Sequence, residues 1–76
     1  MEKINSLKQL TKREYEVLEL VVQGFSNEVI AEKLFISVHT VKAHLASIYR
    51  KLGATNKVQA AVSAVLMGII DSVADK

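Results

Sequence analysis

The sequence predicts an all-α fold, a bundle of four helices that contains a helix-turn-helix. The chain of 76 residues has no proline and only three glycines, which favours helices over a turn-rich β fold. Its apolar residues recur at spacings of three and four, which places them on one face of a helix. A capping residue precedes each apolar segment. We expect one small domain over residues 1–76, with an ordered core of about 10–70.

The first helix is predicted to begin after Thr11. Thr11-Lys12-Arg13-Glu14 matches a capping box, in which the Thr11 hydroxyl accepts from the Glu14 amide and the Glu14 side chain returns to the Thr11 amide. Gly24 is expected to end the helix, because glycine tolerates the left-handed conformation of a C-terminal cap. Residues 1–9 are polar and are expected to be a frayed lead-in. The apolar positions of this helix are Val17, Leu18, Val21 and Val22.

Ser26 and Ser37 are predicted to cap the second and third helices. The second helix is expected over 27–34, and Phe35 and Ile36 form the turn, with Ile36 between the two helices. The buried face of the second helix is predicted to be Val29, Ile30 and Leu34.

The third helix, which is expected to close at Gly53, has two distinct sides. Its apolar stripe is Val41, Leu45, Ile48 and Leu52. The opposite side has His39, Lys42, Ala43, Ala46, Ser47 and Arg50. Small, polar and basic residues in the first turns, where a core helix would be apolar, are typical of the recognition helix of a DNA-binding helix-turn-helix.

The charge of the chain is concentrated in the same region. The formal net charge is only +2, which by itself indicates little about partners. However, the segment 38–57 contains Lys42, Arg50, Lys51 and Lys57 and no acidic residue, so all eight acids lie outside it. This basic segment favours a nucleic acid as the ligand.

The fourth helix is predicted to begin at Thr55 or Asn56 and to extend for about a dozen residues. It has two apolar stripes, although a surface helix normally buries only one. The bulky stripe is Val58, Val62, Val65 and Ile69, and the small stripe is Ala60, Ala61, Ala64 and Gly68. We favour the small stripe for close packing on the first helix and the bulky stripe for a partner; the sequence alone leaves this assignment open.

Several functional classes are disfavoured. The chain has no cysteine and no glycine-rich phosphate loop, and we expect that it is not an enzyme. His39 and His44 are five residues apart, whereas a metal pair on a helix requires three or four, so no metal and no cofactor are expected. No segment approaches the roughly 18 apolar residues of a membrane span. We therefore expect a cytoplasmic, nucleoid-associated protein without membrane contact.

Five motifs occur in order and without a gap: Leu10-Thr11-x-Arg13-Glu14-x-Glu16-Val17-Leu18, Gly24-x-Ser26-Asn27, Ile30-Ala31-x-x-Leu34-x-Ile36-Ser37, Thr40-Val41-Lys42-x-His44 and Lys51-Leu52-Gly53. With them the chain closely resembles the LuxR/FixJ/NarL-type (GerE-like) DNA-binding domain of bacterial transcription regulators, from Leu10 to about Ile70. Such a domain usually forms the C-terminal part of response regulators and quorum sensors, and it also occurs alone; the length fits either an excised domain or a stand-alone protein.

The resemblance implies a dimeric regulator that binds a specific, pseudo-palindromic double-stranded DNA. The third helix would enter the major groove, the fourth would form a homodimer contact, and RNA polymerase is a further expected partner. Lys42 and Ala43 would face base edges, with Ala46 one turn later. The implied phosphate contacts are Asn27, Ser37, Thr40, Arg50 and Lys51. The implied dimer contacts are Val58, Val62, Val65, Leu66 and Ile69.

Several of these residues have a purely structural interpretation as well. Ser37 is expected first as a cap and second as a phosphate contact, whereas Thr40 is expected first as a phosphate contact and second as a capping group. His39, in the first turn of the third helix, is a candidate for a phosphate contact. His44 is as compatible with a packed imidazole as with a phosphate contact. Arg50 and Lys51 are cations near a helix C-terminus, which is favourable even without DNA.

The chain departs from the family pattern at three points that affect DNA binding, one of which is Lys57 in place of the more usual Arg, so a bidentate contact is not expected there. Glu28-Val29 after Ser26-Asn27 removes a second capping box and places an acid near the expected phosphates. Ala46 stands where relatives often have a longer polar or basic side chain, so Lys42 is expected to supply much of the base reading. The alternative function is a helix-turn-helix that docks proteins without binding DNA.

Overall fold

The computed structural model describes residues 10–70, which form four helices: α1 Lys12–Val22, α2 Asn27–Leu34, α3 Val38–Leu52 and α4 Lys57–Leu66. No strand occurs within these residues. The predicted all-α fold with four helices is therefore confirmed. The expected lead-in over 1–9 lies outside the described residues.

Each helix begins at a side chain that satisfies its first backbone amides. At α1 the capping box is complete: Thr11 Oγ1 accepts from the Glu14 amide at 3.0 Å, and Glu14 Oε1 accepts from the Thr11 amide at 3.0 Å. The other caps accept from the amide three residues ahead: Ser26, Ser37 and Asn56. At α2 only the serine half of a capping box is present, as the Glu28-Val29 departure predicted.

The helix ends require a left-handed backbone residue. Gly24, with φ +93°, follows α1, and Gly53, with φ +69°, follows α3, so both predicted ends are confirmed. After α2 the same role falls to Phe35, whose φ is +59°. Its side chain is 93% exposed, whereas Ile36 is half-buried and packs against the core, as expected for the turn residue.

α4 begins after its cap Asn56, as predicted, and its ten residues make it slightly shorter than the expected dozen, because it ends at Leu66. Gly68 adopts φ +75°, and the Ile69 amide donates to the Ala64 carbonyl at 2.9 Å, which satisfies a carbonyl at the helix end. Gly68 is consequently exposed rather than part of a buried stripe. Ile69 is half-buried against the core and does not continue the bulky stripe of α4.

The core is aliphatic and is centred between α1 and α3, each of which packs against the three other helices. The largest fully buried side chains are Val17, Leu18, Ile30, Val41 and Ile48. From α4 the core receives two fully buried alanines, Ala60 and Ala64. Small side chains let helix backbones approach closely, so the favoured assignment of the two stripes is confirmed for these positions. The packing leaves the other face of α4 and one face of α3 exposed.

Candidate nucleic-acid interface

One face of α3 is exposed and carries no acidic residue. Its opposite side, formed by Val41, Leu45 and Ile48, is buried against α1 and α2. Helical geometry of about 3.6 residues per turn groups the exposed residues on one arc. We call this set the exposed arc of α3: His39, Lys42, Ala43, Ala46 and Arg50. These are five of the ten residues that the sequence predicts for DNA contact.

The start of α3 combines a serine cap with the positive end of a helix. Ser37 Oγ accepts from the Thr40 amide at 3.0 Å and donates to Thr40 Oγ1 at 3.0 Å. The predicted cap is therefore confirmed, and Ser37 uses both its donor and its acceptor within the turn. The Thr40 hydroxyl, in turn, keeps its proton as a donor. Amides at a helix N-terminus favour an anion, so this end is chemically suited to phosphate.

Asn27, the first residue of α2, is half-buried. Within the described residues its side-chain oxygen is buried and has no hydrogen-bond partner. That oxygen is an acceptor and has nothing to offer a phosphate. Any phosphate contact of Asn27 would consequently use its side-chain nitrogen or its backbone amide.

A buried carboxylate connects α1 to the C-terminal half of α3. Glu14 is only 5% exposed. Its Oε1 accepts from Lys51 Nζ at 2.8 Å, and its Oε2 accepts from Ser47 Oγ at 2.6 Å. The expectation that Ser47 shares the exposed side with Arg50 is wrong, because Ser47 turns toward α1 and is half-buried. Lys51 likewise lies off the exposed arc, in an ion pair, and its phosphate contact stays a prediction.

The electrostatics of Glu14 follow from these partners. Burial alone would raise the pKa of its carboxyl group. The hydrogen bonds from Lys51, Ser47 and the Thr11 amide, together with the charge of Lys51, outweigh burial and leave the pKa below its ordinary value of 4.5. Glu14 is therefore ionised at neutral pH. The sequence identified Glu14 as a capping residue but gave no sign of these two partners, which lie 33 and 37 residues away.

His44 lies at the margin of the interface. It is half-buried, whereas His39 is exposed on the arc. A phosphate contact by His44 stays a prediction, as does its alternative role as a packed imidazole. Within residues 10–70 no group of three or more histidines, cysteines and acids is arranged to hold a metal ion.

The second exposed feature lies on α4. We call it the valine surface: Val58, Val62, Val65 and Leu66, which are 72%, 49%, 37% and 79% exposed. It borders an open groove of about 310 Å³ between the end of α1 and the start of α4. Val58, Val62 and Phe25 are among the residues that line this groove. Large apolar side chains concentrated on one helix face are typical of a protein-protein contact.

Comparisons with known proteins agree with this geometry. Residues 8–64 match the family described as bacterial regulatory proteins, luxR family. The chain is 50% identical over 60 residues, or 79% of its length, to the transcriptional regulatory protein YxjL of Bacillus subtilis (strain 168). It is 45% identical over 69 residues, or 91% of its length, to the transcriptional regulatory protein LnrK of the same strain. The chain spans 28% and 31% of these two relatives.

A solved structure is similar as well. The response regulator ChrA of a heme-sensing two-component system superposes with a TM-score of 0.78 at 48% identity, over 80% of this chain and 30% of that chain. No helix of the described residues is long and apolar enough to cross a membrane. A capped helix-turn-helix with a basic, acid-free exposed arc, together with a family match over most of the chain, leads to one conclusion: the chain belongs to the LuxR family of bacterial transcription regulators.

Proposed function

We propose that this domain binds a specific double-stranded DNA by placing α3 in the major groove. The observation that carries the proposal is the exposed arc of α3, which presents Lys42 and Arg50 without any acid on the helix. A helix of this diameter fits the major groove of B-form DNA, and its first turns meet the base edges. Membership of a DNA-binding regulator family supports the same function.

The roles of individual residues follow from their positions. Lys42, on the arc near the helix start, reads bases, while His39 and Arg50 approach phosphates from either end of the arc. The helix N-termini at Ser37 and Asn27 offer amides to the backbone. Lys51 already pairs with Glu14 at 2.8 Å, so we rank it below Arg50 among the cations.

We further propose that two copies of the domain associate through the valine surface. Its side chains are apolar and exposed, and they lie on a face of α4 that the core does not use. A dimer of this kind would read two half-sites about one helical turn apart on a pseudo-palindrome. Contact with RNA polymerase, expected of such a regulator, would fall to surfaces outside α3 and α4.

Selection from a random duplex library tests this function directly. The expected outcome is an enriched sequence with two inverted half-sites whose centres lie about 10 base pairs apart. Footprinting should then show protection of the major groove in each half-site. Failure to enrich any sequence, with no retention of duplex even at low salt, would instead favour the protein-docking function.

A further inference from the structure

The centre of the exposed arc of α3 is apolar. Ala43 and Ala46 are both exposed there, with Lys42 beside them and Arg50 one turn beyond. Their methyl groups can neither donate nor accept a hydrogen bond. Because alanine is short, a groove that receives this arc must come close to the helix backbone. The exposed arc therefore offers an apolar contact where a longer polar side chain would form hydrogen bonds to bases.

The thymine C5-methyl group complements such a contact better than any other group on the major-groove edges of DNA. Guanine, adenine and cytosine present hydrogen-bond donors and acceptors, and thymine adds its C5-methyl group. An alanine methyl placed against a donor or acceptor displaces water without replacing its hydrogen bond, which is unfavourable. Placed against a thymine methyl, it removes two apolar surfaces from water, which is favourable.

We propose that Ala43 and Ala46 read thymine methyl groups in each half-site, next to a guanine contacted by Lys42. This specificity rests on the proposed binding of α3 in the major groove. Three residues of helix rise by about 4.5 Å, and base pairs are spaced by about 3.4 Å. The two thymines are consequently expected one or two base pairs apart, on a half-site whose guanine lies adjacent.

Replacement of single thymines by deoxyuridine tests the proposal, because deoxyuridine lacks only the methyl group. The duplex is the sequence selected by the protein, and affinity is measured by fluorescence anisotropy with the full chain. At one or two thymines per half-site we expect the dissociation constant to rise about fourfold, which corresponds to the loss of one buried methyl of about 0.8 kcal/mol. At other thymines we expect no change.

Protein variants assign each thymine to its alanine. Ala46→Gly should abolish the deoxyuridine effect at one position and leave it at the other, and Ala43→Gly should do the reverse. Lys42→Ala is the matched control, because it should relax the guanine preference and retain both deoxyuridine effects. Since glycine weakens a helix, Ala43→Ser and Ala46→Ser are measured as well, and circular dichroism verifies the helical content of every variant.

Two results overturn the proposal in different ways. A selected half-site without thymine, or deoxyuridine effects below twofold at every thymine, would exclude methyl reading while selective DNA binding stands. The absence of any selective duplex binding would overturn both the proposed function and this specificity. The deoxyuridine series uses the unmodified protein, so its result does not depend on the folding of a variant.

Discussion

At the level of single residues, the two cations on the exposed arc of α3 are expected to have different roles: Lys42 reads a base and Arg50 binds a phosphate. We expect Lys42→Ala to cost about 1–3 kcal/mol on the selected operator and much less on random DNA, because a lost base contact matters only at the correct base. Arg50→Ala should weaken binding to both duplexes alike and reduce the salt slope by about one. Anisotropy titrations on operator and random duplexes measure both effects. Equal losses on the two duplexes for Lys42→Ala would exclude its base-reading role.

Glu14 is almost fully buried and accepts hydrogen bonds from Thr11, Ser47 and Lys51. Glu14→Gln keeps an acceptor for the Thr11 amide but replaces the buried carboxylate that pairs with Lys51 by a neutral amide. We expect a loss of about 2 kcal/mol in the free energy of unfolding at pH 7. The matched control is Glu16→Gln, which removes an exposed pair with Arg13 at 3.1 Å and should cost less than about 0.5 kcal/mol. Urea denaturation compares the two variants.

The pH dependence of the free energy of unfolding is an independent test of the Glu14 ion pair. Because folding lowers the pKa of Glu14, its ionised form stabilises the native state at neutral pH. This stabilisation is present above the unfolded-state pKa and is lost as the pH falls below about 4.5 toward the folded-state value. The difference between the wild type and Glu14→Gln should accordingly shrink in acid. A difference that stays constant from pH 7 to pH 3 would contradict the assigned ion pair.

At the level of elements, α2 ends at a residue type that is unfavourable for the backbone conformation at that position. Phe35 adopts the left-handed conformation that glycine adopts after α1 and α3, and its side chain is almost fully exposed. Phe35→Gly should therefore stabilise the domain by about 0.5–1 kcal/mol, since it relieves the conformational cost without losing buried surface. Gly53→Ala is the opposite control and should destabilise by about 1 kcal/mol, because its φ of +69° is unfavourable for alanine although no atom blocks the added carbon. Thermal unfolding of the two variants decides the point, and destabilisation by Phe35→Gly would show that the ring contributes contacts of its own.

The valine surface of α4 has a testable consequence for association. Val62→Asp should leave the fold intact, because Val62 is half exposed, but it should weaken binding to a two-half-site operator by about tenfold, or 1.4 kcal/mol, since the interface would bury an unpaired charge. Val62→Thr is the control, as it keeps the shape of valine at the same position without adding a charge, and it should weaken two-site binding far less. Binding to a single half-site should be unaffected. An unchanged two-site affinity would exclude this surface as the dimer contact.

The elements also show how far sequence reasoning extends. The starts of the helices are predictable because each cap depends on residues three apart, as at Thr11 and Ser37. The end of α4 is not, because Gly68 preserves the helical spacing of small residues while its positive φ ends the helix. The inward orientation of Ser47 depends on Glu14, 33 residues away, and periodicity gives no information on which flank of α3 faces α1. Long-range partners of this kind require the structure.

At the scale of the whole molecule, the fold assigns its two exposed faces to different tasks. The aliphatic core uses α1, α2, one side of α3 and the small residues of α4, so the basic arc and the valine surface remain outside it. A domain of this size buries a modest share of its surface, and its own stability is correspondingly limited. Association through α4 would supply additional burial at the same time as it sets the spacing between two copies of α3.

The salt dependence of binding decides whether the exposed arc of α3 and the helix N-termini lie on the DNA backbone. Fluorescence anisotropy with a duplex of about 30 base pairs is titrated at several salt concentrations. Binding of α3 with its cations and helix N-termini on the DNA backbone predicts a slope of log K against log salt of roughly −4 or steeper, which corresponds to several neutralised phosphates. No binding even at low salt, or an affinity that does not change with salt, would contradict the proposed DNA contact. The helix-turn-helix would then be a surface for docking proteins.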